Sequence, residues 1–400
     1  MGLKKLVCTG LLYITLLGAA ISPSFGQTNN QEIANQKPKG EMVFARKYIG
    51  NFQTDTWTAG ADVAAGDFDG DGNLDFIVAN TTSKGNTSSV KVQSFTNSGN
   101  GYFHKGYVDE IETDNSQLSA HLGLVHGVAV EAADLNNDGF YELILAYSRA
   151  GNSNANNLIV FKNNKRHLVQ HYTDKINTPA WNSRIDLTIG DLNRDGNMDL
   201  AAGYSKSGNS REHNLIVFRN KRGYLVHHYT DEINTPAWNS GFGLETMDYN
   251  GDTKTDLVAI YAKDAGSQKN NIIFFQNSKG YVSRSNSDSF RNESRNSSVD
   301  IASGDFDLDG DIDFVIAHTM SARSNYDNLV MYINNGSGQF TTKRIGSFRT
   351  DAWNVGMGID AGDFDNDGDL DIVVAHSIRY GSKQSNLILF ENNIINKLSL

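Results

Sequence analysis

Cysteine is all but missing from this 400-residue chain, the single copy, Cys8, lying close to the first residue. Neither a disulfide framework nor a thiolate metal centre can therefore hold the body of the chain together. Proline is scarce as well, at 4 residues against 38 glycines, a balance that suits many short strands joined by tight turns. Beyond the run Leu6 to Ala20 no apolar stretch approaches the roughly 18 residues that a membrane-spanning helix needs. The G-x-S-x-G, H-E-x-x-H and P-loop patterns are absent, so the commonest hydrolase, zinc-protease and nucleotide-binding frameworks have no footing. No basic stripe suggests nucleic acid.

What is present is an acidic stretch that recurs. Asp363-Phe364-Asp365-Asn366-Asp367-Gly368-Asp369-Leu370-Asp371 has five upstream relatives, beginning at Asp305, Asp248, Asp191, Asp134 and Asp67. From the first to the last, their starting aspartates are 67, 57, 57, 57 and 58 residues apart. Self-similarity at a near-constant period marks a repeat architecture, so length alone, which would allow two or three domains, gives way to one closed body.

Oxygen side chains stand at positions 1, 3, 5 and 9 of every copy, the donor type a hard cation such as calcium requires. The expected ligands are Asp67, Asp69, Asp71 and Asp75 in the first loop, and Asp134, Asn136, Asp138 and Glu142 in the second. The third supplies Asp191, Asn193, Asp195 and Asp199, and the fourth Asp248, Asn250, Asp252 and Asp256. The fifth supplies Asp305, Asp307, Asp309 and Asp313, and the sixth Asp363, Asp365, Asp367 and Asp371, with the carbonyl of Asp369 a further donor. An EF-hand would close on a bidentate Glu at position 12, but that position is apolar throughout, from Val78 to Val374. The loop is therefore shorter and set between strands. A single D-x-D-G would read as an ordinary hairpin turn; six spaced copies do not.

Up to six calcium ions are thus expected. The fourth loop should bind most weakly, because Thr253 stands where the bend favours glycine and Lys254 adds a competing charge. Net charge is −11, and 21 of the acids lie at these four loop positions, so the remainder of the chain is positive. The acidity is local ligand charge and says little about partners.

Met1 to about Gly26 reads as a secretory signal, with Lys4 and Lys5 before the apolar run and small residues after it. A secreted or periplasmic location follows, and Gln27 to Gly40 reads as a polar, disordered leader. From residue 41 each unit has one layout. An alternating strand (Ile185 to Gly190) enters the loop, an apolar strand (Leu200 to Tyr204) leaves it, and two more follow (Asn214 to Phe218, Tyr224 to Tyr229). Four short antiparallel strands make a propeller blade, so the fold is all-β, a β-propeller. The last unit ends one strand short, while Ala45 to Asp55 matches the fourth strand at Thr342 to Asp351. The N-terminal strand is therefore expected to complete the sixth blade and remove an open edge.

The unit, with its glycine before strand one and its D-x-[DN]-x-D-G-x-x-D loop, resembles the FG-GAP or VCBS repeat of integrin α-subunit propellers and of many secreted bacterial proteins. Gly60 to Gly72 and Gly356 to Asp365 carry the likeness best. The resemblance implies calcium loops between strands one and two of each blade. It departs at the aromatic of the FG pair, where Ala59, Ser240 and Val355 stand, and in blade number, since family members more often have seven.

Four units place a tryptophan ten residues before the loop: Trp57, Trp181, Trp238 and Trp353, with Leu124 and Arg295 in the other two. Strand two ends on the same rim with Asn80, Tyr147, Tyr204, Tyr261, His318 or His376. Such a rim could stack on sugar rings, as in fungal lectins of similar repeat, and a glycan or a cell-surface protein is the expected partner. The competing reading is that these aromatics are buried wedges between blades. The second unit also carries about ten extra residues, including His121 and His126 near Glu131. A polysaccharide lyase or hydrolase would need such groups to converge, but no third partner stands at a recognisable spacing, and solvated loop histidines are the simpler account. The leading expectation is a non-catalytic, lectin-like recognition module, with a purely adhesive part a third option.

Overall fold

The repeated alternation and apolar runs become six four-stranded antiparallel sheets. A computed structural model describes residues 42–52, 54, 60–84, 87–112, 127–148, 156–164, 167–178, 183–206, 210, 213–237, 240–264, 266–292, 294, 297–320, 327–350, 355–378 and 385–394. The leader and signal segments expected before residue 41 lie outside these.

Blade one holds β2 (Ala61–Gly66), β3 (Asp75–Lys84), β4 (Thr87–Asn97) and β5 (Phe103–Glu112). Blade two holds β6 (Val128–Ala133), β7 (Glu142–Tyr147), β8 (Leu158–Asn163) and β9 (Leu168–Asp174). Blade three holds β10 (Ile185–Gly190), β11 (Asp199–Tyr204), β12 (Leu215–Lys221) and β13 (Tyr224–Asp231). Blade four holds β14 (Phe242–Met247), β15 (Asp256–Tyr261), β16 (Ile272–Ser278) and β17 (Tyr281–Asp288). Blade five holds β18 (Val299–Gly304), β19 (Asp313–His318), β20 (Leu329–Asn334) and β21 (Phe340–Gly346). Blade six holds β22 (Met357–Gly362), β23 (Asp371–His376), β24 (Leu387–Asn392) and, as its outer strand, β1 (Phe44–Gly50).

The ring closes as the sequence suggests. β1 pairs antiparallel with β24 from Phe44 opposite Asn392 to Gly50 opposite Leu387. Lys47 Nζ lies 3.0 Å from Glu391 Oε1, and the backbone N–H of Phe52 donates to Asn386 Oδ1 at 3.1 Å. The innermost strands form the hub, with β2 packed against both β6 and β22.

There is no single core. Each apolar cluster is sandwiched between two consecutive blades, so one blade buries each face of its sheet against a different neighbour. That is why strands two and three read as near-continuous apolar runs rather than as alternating ones. Glycine before strand one has a matching role. A Cβ at Gly127 or Gly241 would collide with the carbonyl oxygen of Ser183 or Ser297 in the next blade. Part of the extra length around the second unit goes into the outer strand of blade one, where β5 runs to 10 residues against 7 or 8 in the other blades.

One polar device recurs in all six blades at the loop end. The last residue of strand three, or its neighbour, is a buried asparagine: Asn97, Asn163, Asn220, Asn277, Asn334 and Asn392. Each side-chain amide donates to the carbonyl of the second loop residue of the preceding blade, as Asn220 does to Leu135 at 2.8 Å and Asn277 to Leu192 at 2.7 Å. Asn97 does the same to Phe364 across the closing seam, at 2.7 Å. The acidic loops are thereby clasped from the side by the neighbouring blade. Replacing Asn220 with Ala leaves the Leu135 carbonyl without this partner, and thermal melting is expected to report a loss of about 1–3 kcal/mol.

Candidate functional site

Each loop is folded around its first carboxylate. Asp67 accepts backbone N–H groups from Gly70 at 2.7 Å and Gly72 at 2.9 Å, and Asp363 accepts from Asp367 and Gly368 at 3.1 Å. Positions 4 and 6 adopt left-handed backbone throughout, from Gly70 (φ 74°) and Gly72 (φ 90°) to Asn366 (φ 62°) and Gly368 (φ 96°). Glycine fits position 6 without strain, but in the fourth loop Thr253 is held there at φ 65°, a costly conformation for a β-branched residue.

The position-9 acids Asp75, Glu142, Asp199, Asp256, Asp313 and Asp371 open strand two and are fully buried. Each accepts a backbone N–H from the clasping asparagine of its own blade, at 2.8 Å from Asn97 to Asp75 and from Asn334 to Asp313. Burial, reinforced in most cases by neighbouring loop carboxylates, pushes these groups up. Asp199 rises to about 6, Asp75, Glu142 and Asp256 to about 7, and Asp313 and Asp371 to about 8.

In four loops the carboxylates converge, with one oxygen from each of three acids lying within 4.8 Å of the others. These are Asp67, Asp69 and Asp71; Asp248, Asp252 and Asp256; Asp305, Asp307 and Asp313; and Asp363, Asp365 and Asp367. Two buried oxygens in this set of loops, Asp313 Oδ2 and Asp369 Oδ1, have no hydrogen-bond partner. A hard dication would satisfy them and the clustered charge together, so the residues fit calcium.

The loops with asparagine at position 3 are arranged differently. Asn136 and Asn193 turn their NH₂ groups onto Glu142 and Asp199, at 2.7 and 2.8 Å, and so give the acid a local hydrogen-bond partner. The fourth loop does gather its carboxylates, but Asn250 donates to Asp256 and the Lys254 ammonium sits 2.7 Å from Asp252 Oδ2. In the second loop Lys162 lies 3.5 Å from Asp138 Oδ2. Asp134, Asp191, Asp195 and Asp309 complete the loops without joining a converging trio among the described residues.

At the opposite rim the side chains differ from the expectation. Tyr147, Tyr204, Tyr261, His318 and His376 are all buried rather than displayed. The tyrosine hydroxyls donate to the carbonyls of Asn156, His213 and Asn270 at 2.9, 2.8 and 2.6 Å. His318 and His376 lie against Phe290 and Phe348. Each packs into the seam with the preceding blade, which is where apolar area can be removed from water. Trp57, Trp181, Trp238 and Trp353 lie outside the described residues, as do His121, His126, Leu124 and Arg295.

A second set of acids, which the repeat reading overlooks, surrounds the axis. Asp62, Asp186 and Asp300 sit at the second position of the inner strand in blades one, three and five. Glu131, Glu245 and Asp360 sit at the fourth position in blades two, four and six. Most of these bind the next blade: Asp62 accepts from Val130 N–H at 2.8 Å, Asp300 from Ile359 N–H at 2.7 Å, and Asp360 from Ala65 N–H at 2.7 Å. Burial raises all six, Asp300 to about 7 and Asp360 to about 6. The two axial cavities measure about 30 and 20 Å³, room for a water or two and far too little for a sugar ring. Most of these acids are ties between blades, and neither cavity has room for a polysaccharide.

Architecture and loops together define a six-bladed propeller carrying an aspartate-rich loop in every blade. The FG-GAP-like repeat pattern matches residues 67–145, 134–202, 248–316 and 305–374, more than half of the chain, and the chain belongs to that family. No curated protein matches it. Among solved structures it is similar to AofleA from Arthrobotrys oligospora, at 11% identity over 89% of this chain and 91% of that one, with a TM-score of 0.50. It is also similar to a point mutant of Aleuria aurantia lectin in complex with Fucα1-6GlcNAc, at 13% identity over 84% and 95%, with a TM-score of 0.52. At such identities the likeness concerns the fold. Among the described residues no helix is long and apolar enough to cross a membrane.

Two outcomes are expected. Thr253→Gly removes the strain at position 6 and should raise stability by roughly 1 kcal/mol in a denaturant melt. The buried position-9 carboxyls hold protons more tightly in the folded chain than in the unfolded one. Without a cation, the stability they contribute is therefore complete below about pH 4 and lost as pH rises through about 6 to 8. Calorimetry in chelator should show melting fall from about pH 5 to about pH 8.5, and added calcium, which favours the ionised form, should raise melting more at the higher pH.

Proposed function

We propose that this protein is an exported propeller, stabilised by calcium in its acidic loops, that recognises glycans without transforming them. The observation that carries the calcium part is the convergence of three carboxylates in each of four loops, together with the orphaned oxygens of Asp313 and Asp369. Calcium there would act structurally, tying strand one to strand two in each blade and, through the clasping asparagine, one blade to the next. The first, fifth and sixth loops, with four aspartates each, would fill before those in which asparagine or lysine already answers the charge.

Glycan recognition is supported by the fold shared with a lectin seen with a fucosylated disaccharide, and by a ring that repeats its surface around one axis. Repetition favours weak sites used in parallel, since linked sites gain avidity without new contacts. A cell-surface protein bearing such glycans would be the natural target. Export rests on the apolar run after Lys4 and Lys5, and amino-terminal sequencing of the secreted protein would locate the cleavage.

The test is a glycan array read with labelled protein in calcium and again in chelator. Binding to a defined group of glycans is expected, falling in chelator. An empty array in both conditions would remove the glycan reading, whereas binding indifferent to chelator would separate recognition from the loops.

A further inference from the structure

Every blade carries an irregularity in its outer strand, where two residues oppose one on strand three. A bulge of this kind re-aims a side chain. In blades two and three the extra residue is a histidine, His171 and His228, followed by Tyr172 and Tyr229. Each pair meets a tyrosine from the start of the next blade's outer strand. His171 and Tyr172 lie 5.1 and 5.3 Å from the Tyr224 ring, and His228 and Tyr229 lie 4.9 and 5.1 Å from that of Tyr281. The clusters are anchored alike, since Tyr172 Oη accepts from Leu225 N–H at 2.7 Å and Tyr229 Oη from Val282 N–H at 2.8 Å. Tyr224 and Tyr281 nevertheless remain 51% and 53% exposed. Two preformed aromatic platforms thus stand one blade apart on the outer wall.

Their charge differs. Beside the first, Lys162 is engaged with Asp138 at 3.5 Å. Its counterpart one repeat later, Arg219, has no ion pair among the described residues, and neither does Lys221. Arg219 Nε and His228 Nε2 are both hidden from water without a hydrogen-bond partner, and the guanidinium lies against the Gly280 turn that leads into Tyr281. Burial holds His228 below the usual imidazole range, and the charges of Arg219, His227 and Lys221 add to that. In a chain of net charge −11, this leaves a guanidinium with no ion pair among the described residues beside a half-exposed ring.

We propose that the junction of blades three and four is a binding site for an acidic saccharide. The sugar ring lies on Tyr281, and its carboxylate or sulfate takes the Arg219 guanidinium, with His228 beside it. The assignment deepens the glycan reading and rests on it. A saccharide is favoured over an acidic peptide because the platform is a flat tyrosine face bordered by polar ring edges, which suits an apolar C–H face flanked by hydroxyls. An unpaired guanidinium supplies the fork that carboxylate and sulfate groups accept. The junction of blades two and three, where Lys162 stands in the place of Arg219 and is already paired, provides a built-in control for the guanidinium.

Calorimetric titration of the full chain with tetragalacturonate, sialyllactose, a heparin tetrasaccharide, neutral chitotetraose and a hexaglutamate peptide tests this. Variants Tyr281→Ala, Arg219→Gln and Tyr224→Ala are compared with the parent, their melting confirming that they fold. At least one acidic saccharide should bind, with about tenfold weaker affinity in Tyr281→Ala and Arg219→Gln and little change in Tyr224→Ala. Acidic binding unchanged in both of the first two variants would overturn the site, as would binding of chitotetraose alone; either result leaves the glycan reading intact. Hexaglutamate binding that responds to the variants as strongly as any saccharide would overturn the saccharide assignment in favour of plain charge. No binding to any sugar here, combined with an empty array, would remove both.

Discussion

A buried carboxylate, held by backbone N–H groups yet facing the like charges of its own loop, is the constraint on which the rest of this structure depends. It occurs once per blade, at the head of strand two, where Asp75 and its five counterparts leave solvent entirely. An ionised group there is costly unless it is paired, protonated or bound to a metal. The protein answers in more than one way. Backbone N–H groups from the clasping asparagines take one oxygen, and in loops two, three and four an asparagine amide takes the other. In the first, fifth and sixth loops aspartate replaces that asparagine, leaving clustered negative charge that calls for a cation.

This local chemistry is coupled to the whole ring because the same asparagine has two functions. Its N–H holds the acid of its own blade and its side chain holds the loop of the preceding one. Toward the axis, Asp62, Asp300 and Asp360 make comparable reaches from blade to blade. Between these polar rings lie six apolar seams, each shared by neighbours, and β1 seals the last. A blade is therefore never stable in isolation, since both faces of its sheet need a partner. Perturbing one loop is expected to be felt along two seams rather than within a single sheet.

Much of this architecture is legible in the sequence. The loop, its period and the strand borrowed from the N-terminus depend on local spacing, which a sequence displays directly. The asparagine clasps share that regularity, for Asn220, Asn277 and Asn334 each follow a position-9 acid by the same interval, but the carbonyl each one holds belongs to the preceding blade, which spacing within a unit does not display. The axial carboxylates were harder to see. They alternate between the second and fourth positions of strand one, so no single position in the repeat displays them. The buried Tyr147, Tyr204 and Tyr261 could not be assigned from their own strands, because what covers them is the preceding blade. The aromatic clusters at Tyr224 and Tyr281 depend on bulges and on contacts across a seam, neither of which strand periodicity encodes.

The central claim is that the converging loop carboxylates are a cation site and not merely a well-bonded turn. Equilibrium dialysis of the chelator-stripped chain against calcium tests it most directly, with a variant carrying Asp75→Asn, Asp313→Asn and Asp371→Asn as the comparison. The account predicts saturable uptake of at least one ion for each of the three all-aspartate loops, sharply reduced in the variant. Uptake no greater than background, or identical in parent and variant, would contradict it.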